Sequence, residues 1–458
     1  MRAISHALRQ RGLRLMLGAG LISASGDWVL RIGLTYYVYA LTGSTLASAA
    51  MLLASFVPQI ALGSLAGVFV DRWDSKRTMI GANLLLAAGL LPLLAVHHAG
   101  QVWIVYAVTA WEGCVQQFFF PAQQSMLPAL TIDEHLTTAN ALNGQASDVS
   151  RLAGSAAGGV IAAAGGIIAL ALTDAASFLL AAVLIARISA SDRMRGSGTA
   201  GPGDKAGARL PGPLGQAGRG AAARLRGRLA EVRARIAELR GEWAGGLRAC
   251  TGSRVLLVVL VFLLVTSVGE GIMGTLFAPF VRSVLHGSGA DYGFIVAVQA
   301  IGGICGGLVA AAIGSRLSAQ AMLGWGAVAF GAIDLLMFLY PLGWVAIWPA
   351  AVCMVVVGVP GAFMLAGALT LVQRGTADGQ RGRVFGALSA AEGAAAVAGT
   401  VAAGLLGQHV GIIPVLAVQG GGYLAAGLLV VLMLRAGSLT MKESVSLTQV
   451  GVQTSVSN

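Results

Sequence analysis

Apolar stretches of about 20 residues, the length a helix needs to cross a hydrocarbon core, recur from the first quarter of the chain to the last. They predict spans over approximately 14–40, 45–70, 78–97, 101–121, 138–164, 167–189, 252–281, 289–313, 318–340, 345–372, 382–407 and 412–435. Six spans are followed by a gap and then by six more. The gap changes composition abruptly. GSGTAGPGDKAGARLPGPLGQAGRG is Gly/Pro-rich and reads as a flexible tether, and AAARLRGRLAEVRARIAELRGEW, rich in helix formers and arginine, reads as a basic amphipathic helix. The pattern gives an all-α integral membrane protein of twelve transmembrane helices. Its expected parts are a six-helix half (1–189), a cytoplasmic linker (190–250), a second six-helix half (251–436) and a cytoplasmic tail (437–458).

Composition points the same way. The chain is 56% apolar and only 11% charged, against about one-quarter charged in soluble domains, and its mean hydropathy is +0.79. Its 65 glycines fit membrane helices, where small residues let backbones approach closely. Cys114, Cys250, Cys305 and Cys353 are scattered singly, without a CxxC pair or metal-ligand spacing, so neither a metal nor a cofactor is expected. The opening MRAISHALRQRGLR resembles a signal peptide, but the apolar run behind it continues past Tyr39, which makes it a retained first helix.

Lys and Arg collect on the cytoplasmic side of membrane proteins. With the N-terminus inside, all but Arg31, Arg151 and Arg282 of the 30 basic residues fall in cytoplasmic segments or at cytoplasmic helix ends. Both termini are therefore expected in the cytoplasm of a plasma (inner) membrane protein, and the net charge of +11 belongs to topology, not to nucleic-acid binding. His97 and His98, at the external end of the third span, read as exposed loop residues.

The two halves repeat each other. Leu41-Thr42-Gly43-Ser44 recurs as Leu285-His286-Gly287-Ser288, a shift of 244 residues that also carries Gly63 onto Gly307 and Arg72 onto Arg316. Such parallel repeats build several transporter folds.

The most specific local signal lies between the second and third spans. Gly63 and Gly67 share one helix face, and Asp71 ends the span beside Arg72, Lys76 and Arg77, a charge cluster able to latch neighbouring helices. This stretch resembles the major facilitator loop signature, G-x-L-a-x-x-x-x-D-R-x-x-R-[KR]. The resemblance implies a gating contact between that acidic residue and the start of the eleventh helix, where Arg381 and Arg383 stand here. In the second half Ser315 replaces the Asp. Pro121-Ala122-Gln123-Gln124-Ser125-Met126-Leu127-Pro128, followed by Leu136, Ala139 and Asn140, is similar to the pattern of the macrolide-exporter and enterobactin-exporter branch of drug:proton antiporters. Two departures bear on coupling. Glu112 stands where these relatives carry an arginine, and Gly154-Ser155-Ala156-Ala157-Gly158-Gly159 lacks the proline of the antiporter fifth helix.

Charges inside spans are costly and so mark functional candidates. Asp27, Glu112, Asp148, Arg151, Glu270 and Glu392 count to mid-membrane at 1.5 Å per residue, and Arg31 lies one turn beyond Asp27. The repeat carries Asp148 onto Glu392 and Asp27 to within one position of Glu270, suggesting a pseudo-symmetric ring of carboxylates around one central cavity. Asp27 with Arg31, and Asp148 with Arg151, are spaced to pair internally. Glu112, Glu270 and Glu392 have no local cation and are the candidates for carrying a proton or binding a cation. Asp174 and Asp334 fall on spans that the resemblance makes peripheral, where structural pairing is expected. Gln59, Gln116, Gln117 and Gln299, with Trp28, Trp111 and Phe118-Phe119-Phe120, offer a mixed polar and aromatic lining. Trp103, Trp344 and Trp348 read as interfacial anchors.

The expected function is secondary active transport, with proton-coupled efflux of small, amphipathic, macrolide-type molecules by alternating access. The expected partners are that substrate, protons and the lipid bilayer, around a monomeric chain. A siderophore, lipid or metabolite transporter, or a membrane sensor or scaffold, remains open on the same scaffold. No HExxH, GxSxG or GxxxxGK[ST] is present, and the polar segments are too short and too poor in apolar residues for a catalytic domain.

Overall fold

In hydrocarbon every backbone N–H and C=O must be satisfied within its own segment, so a chain this apolar has to be helical. The computed structural model describes residues 10–70, 73–131, 136–189, 241, 244–376 and 380–454, with the side chains at 59–61, 63–70, 136–137, 141, 315, 381 and 434–454 outside that description. Among the described residues there is no strand. The first half holds α1 (Arg11–Thr42), α2 (Thr45–Val70), α3 (Ser75–Gly89), α4 (Val102–Ala129) and the stretch Leu136–Ala186. Gly166, at φ 58 and ψ −154, breaks that stretch into α5 (136–165) and α6 (167–186). The second half holds α7 (Arg254–Pro279), α8 (Gly289–Ile313), α9 (Ala319–Leu339), α10 (Trp348–Gly375), α11 (Arg381–His409) and α12 (Ile412–Thr454). Leu308, Leu336, Leu365, Val418 and Leu432 are each 62–69% exposed, an outward apolar surface suited to lipid.

Local chemistry sets the ends. Gly43 closes α1 in the left-handed conformation at φ 63, its N–H donating to Tyr39 O at 2.8 Å. Asp74 caps α3 by accepting from Arg77 N at 2.9 Å, and Ser288 and Asp291 form a reciprocal capping box at α8. The third span leaves the α-helix after Gly89 and finishes as a 3-10 turn, Leu91–Ala95, because Pro92 cannot continue the ladder. The fourth span, expected to end at Pro121, continues through Pro121 and Pro128 to Ala129. A lost donor is tolerated where neighbouring helices and hydroxyls re-satisfy the backbone. The amphipathic part of the linker lies outside the described residues. The helical turn before α7, by contrast, brings Gly246 against the backbone of Arg383 at the start of α11.

Phe178, Leu13, Met16, Leu30 and Met79 form a core in the first half and Phe262 one in the second, while the cluster around Phe280 and Phe338 also takes in Ile32 of α1. The halves meet along glycine-lined seams, and the seams obey the 244-residue repeat. Thr45 Oγ1 of α2 donates to Gly404 O of α11 at 2.9 Å. The repeat-related crossing sets Gly289 of α8 against Gly159 of α5. Tyr39 and Ser283, 244 residues apart, face each other with oxygens at 2.8 Å. Beside them, the π-helical turn Phe280–Val284 presents Arg282, whose Nη1 donates to Tyr36 OH at 3.1 Å, and Tyr36 OH in turn donates to Gly287 O at 3.1 Å. All these contacts lie at the end of the bundle opposite the basic loops. Trp103, Trp344 and Trp348 are exposed at that same end.

Candidate functional site

From this closed end a cavity of about 550 Å³ runs through the first half. Its walls extend along α1 from Leu34 past Arg31, Asp27 and Ala24 to Gly20, a rise of about 21 Å at 1.5 Å per residue. Across it stand Glu112, Gln116, Phe119, Phe120 and Gln123 of α4, and Asn143 and Ser147 of α5 line the side nearer the basic loops. A 28-residue helix places these α4 groups on one flank because their spacing follows the helical repeat. The volume falls in the range of small-molecule sites, and the lining combines aromatic walls with a few polar groups.

Asp27 accepts from Gln116 Nε2 at 3.2 Å. Arg31 acts on it electrostatically from one turn away, while its guanidinium lies over the Trp28 ring at 5.3 Å. Glu112 has no such help, and its Oε1 is buried without a hydrogen-bond partner. Asp174 of α6 belongs to the same constellation. It is fully buried, accepts from Ser177 Oγ at 3.0 Å and leaves Oδ2 unpartnered. Asp27, Glu112 and Asp174 lie close enough for their charges to repel one another. Gly26 makes this possible: a methyl there would overlap Asp174 Oδ1 and Ser177 Oγ and stand 2.7 Å from Ser177 Cβ.

A second acid cluster occupies the other half. Glu270 Oε1 of α7 accepts from Tyr423 OH of α12 at 2.5 Å, and Asp334 Oδ2 of α9 accepts from Gln419 Nε2 of α12 at 2.7 Å. The expected single ring of carboxylates is thus replaced by two separate groups, one in each half. Asp148, Arg151, Glu270 and Glu392 do not line the cavity. Arg151 Nε is buried without a hydrogen-bond partner.

Gln116, Gln117, Trp28, Phe119 and Phe120 line the cavity. Trp111 turns away to donate to Leu85 O at 3.1 Å, and Phe118 stacks on Trp73 at 6.0 Å. Gln299 is not among the lining residues, and the Gln59 side chain is outside the described set. Of the gating motif, Gly63 and Gly67 sit in α2, and Asp71 and Arg72 lie outside the described residues. Arg77 is exposed. Lys76, expected to latch helices at the loop, donates to Ala186 O at 2.8 Å and Ile188 O at 2.7 Å. It caps the C-terminal end of α6 inside its own half, where helix carbonyls favour a cation.

Asp174 and Asp334 were expected only to pair at the periphery. They do pair, but as deep members of the two acid groups. The signal available in the sequence was the Gly-acid dipeptide, Gly26-Asp27 and Gly269-Glu270, repeated in the first helix of each half. A methyl at Gly269 would stand 2.8 Å from Gln419 Cγ, so in both halves the glycine is the notch that admits polar side chains from the last helix.

A model described as Transmembrane secretion effector matches residues 4–197, and one described as Major Facilitator Superfamily matches residues 259–453. Among curated proteins, an uncharacterized MFS-type transporter YfiS of Bacillus subtilis is 28% identical over 177 residues, 38% of this chain and 42% of that protein. Macrolide efflux protein A of Streptococcus pyogenes is 27% identical over 160 residues, 34% of this chain and 40% of that protein. The chain thus matches about two-fifths of the length of these relatives. Among solved structures, a bacterial homologue of the iron transporter ferroportin in an inward-facing state superposes with a TM-score of 0.69 at 15% identity, covering 92% of this chain and 98% of that one. A mutant of the peptide transporter POT gives 0.66 at 15% identity, covering 94% and 96%. At such identity these two speak for the fold alone.

Proposed function

The chain belongs to the major facilitator superfamily, and we propose that it is a multi-pass membrane transporter that exports small amphipathic, macrolide-like molecules in exchange for protons. The observation that carries this reading is the cavity acid pair. Asp27 has a glutamine donor and a nearby arginine, Glu112 has neither, and the two share an aromatic-walled space of drug-like size. A carboxylate held this way favours a proton or a cationic group of the substrate, one at a time. Binding one therefore displaces the other, which is the linkage that exchange requires.

The basic loops mark the cytoplasmic end by the positive-inside rule. The cavity then reaches toward the cytoplasm while the Tyr36, Tyr39, Arg282 and Ser283 contacts close the outside, an inward-facing state. Substrate entering from the cytoplasm or inner leaflet meets Asp27 and Glu112. The halves rock about their glycine seams, the outer contacts part, and a proton from outside releases the substrate. The macrolide exporters named among the relatives favour a substrate of that kind.

The test is accumulation of a fluorescent lipophilic cation and of a labelled macrolide in drug-sensitive cells expressing this protein, with and without an uncoupler, beside Glu112→Gln. Lower accumulation that rises on uncoupling and in the variant is expected. Accumulation equal to that of empty cells for both compounds refutes the export reading, and export indifferent to uncoupler refutes proton coupling.

A further inference from the structure

The cluster of Glu270, Asp334, Gln419 and Tyr423 lies outside the cavity and has no role in the exchange described above. It is nonetheless a built site. Asp334 is 2% exposed and Gln419 3%. Glu270 is exposed on α7, one turn before Gly274, whose position faces Leu52 of α2. Residues four apart share a helix face, so Glu270 looks toward the cleft between the halves and Asp334 stands behind it. The groups hydrogen-bonded to this pair are Tyr423 and Gln419 of α12, and Cys353 of α10 lies within electrostatic reach of Asp334.

The cluster is short of donors. Tyr423 gives its hydroxyl to Glu270 and Gln419 gives an amide hydrogen to Asp334, but Gln419 Oε1 is buried without a partner. A buried amide oxygen beside a carboxyl is satisfied when the carboxyl carries a proton: the acid O–H donates to the amide oxygen while the amide N–H donates to the other carboxyl oxygen, a cyclic pair of hydrogen bonds. Half of that pair, Gln419 Nε2 to Asp334 Oδ2, is already in place. Two carboxylates whose charges repel each other, in a membrane interior, add an electrostatic reason for the same proton. The Gly-acid notch that assembles this cluster repeats the one that assembles the cavity acids.

We propose that Glu270 and Asp334 form a second proton-binding site, the counterpart in the second half of the cavity acids in the first. Asp334 holds the proton against Gln419, and Glu270 exchanges it with water in the cleft. The site deepens the proton-coupled reading and rests on it only for its part in transport.

Infrared difference spectroscopy of the purified full-length protein in lipid, titrated through neutral pH in sodium and in choline buffers, reads the carboxylic-acid carbonyl band directly. The triple variant Asp27→Asn/Glu112→Gln/Asp174→Asn removes the first-half acids and is expected to keep a band. Asp334→Asn in that background is expected to lose it. Gln419→Leu, which removes the amide while leaving both acids, is expected to shift it, and this arm holds if Asp334→Asn does not fold. Absence of an acid band in the triple variant across the pH range of the folded protein overturns the proposal. A band seen in choline but abolished by sodium also overturns it and makes the pair a cation site. Loss of uncoupler-sensitive export in cells leaves the infrared result untouched, so the two readings fail separately.

Discussion

Gly293→Ala is the sharpest test of the closed outer seam. A Cβ at this position of α8 would stand 2.6 Å from Ser155 O and 2.9 Å from both Gly159 Cα and Gly159 N. All three neighbours are backbone of α5, so no rotamer change relieves the overlap. Overpacking of this kind costs roughly 1–3 kcal/mol. Because α5 and α8 touch here across the two halves, that cost falls on the state in which the outer end is closed. The equilibrium between closed and open outer ends should shift by about 5–150-fold toward open. Spin labels at His98→Cys and Leu342→Cys, exposed on outer loops of the two halves, in a background free of native cysteines, report the distance between the halves. A longer-distance population is expected to grow in Gly293→Ala. Gly303→Ala on the same helix has nothing within 4 Å of the added methyl and serves as the control, with distances unchanged and a small gain in helix stability. Identical distance distributions for folded Gly293→Ala and Gly303→Ala would refute the idea that this seam is held by backbone contact at glycine.

Two further outcomes follow from the same geometry. Gly26→Ala is expected to reduce uncoupler-sensitive export by forcing α6 away from Asp27, and Ser177→Gly, which removes two of the three atoms met by the new methyl, is expected to restore part of it; a double variant no better than the single one counts against the notch. Lys76→Met keeps the aliphatic stem but removes the ammonium that serves Ala186 O and Ile188 O, with an expected loss of about 1.5–3 kcal/mol. Thermal unfolding in detergent checks it, and an unchanged midpoint would mean that water replaces the cap at no cost.

Much of the fold was legible in the order of residues alone. Long apolar runs can only become helices in lipid, so the spans 45–70 and 289–313 coincide with α2 and α8 as observed, and Gly166 falls between the fifth and sixth spans where a break was expected. Prolines were harder to read: Pro92 ended a helix, whereas Pro121 and Pro128 did not, because the outcome depends on which neighbours supply the missing donors. The buried acids were found because charge in an apolar span stands out in one dimension. Their grouping was not. Whether Asp174 is a peripheral side chain or a neighbour of Asp27 depends on a glycine on another helix, and whether Glu270 opens to the cavity or joins Asp334 depends on Tyr423 and Gln419 arriving from α12. The sequence by itself determined the helices, the repeat and the charged residues, since these follow from local hydrophobicity and spacing. The tertiary structure alone decided which charges meet and what they meet, because contact between residues 85 to 153 positions apart depends on helix rotation and close packing, which local pattern does not encode.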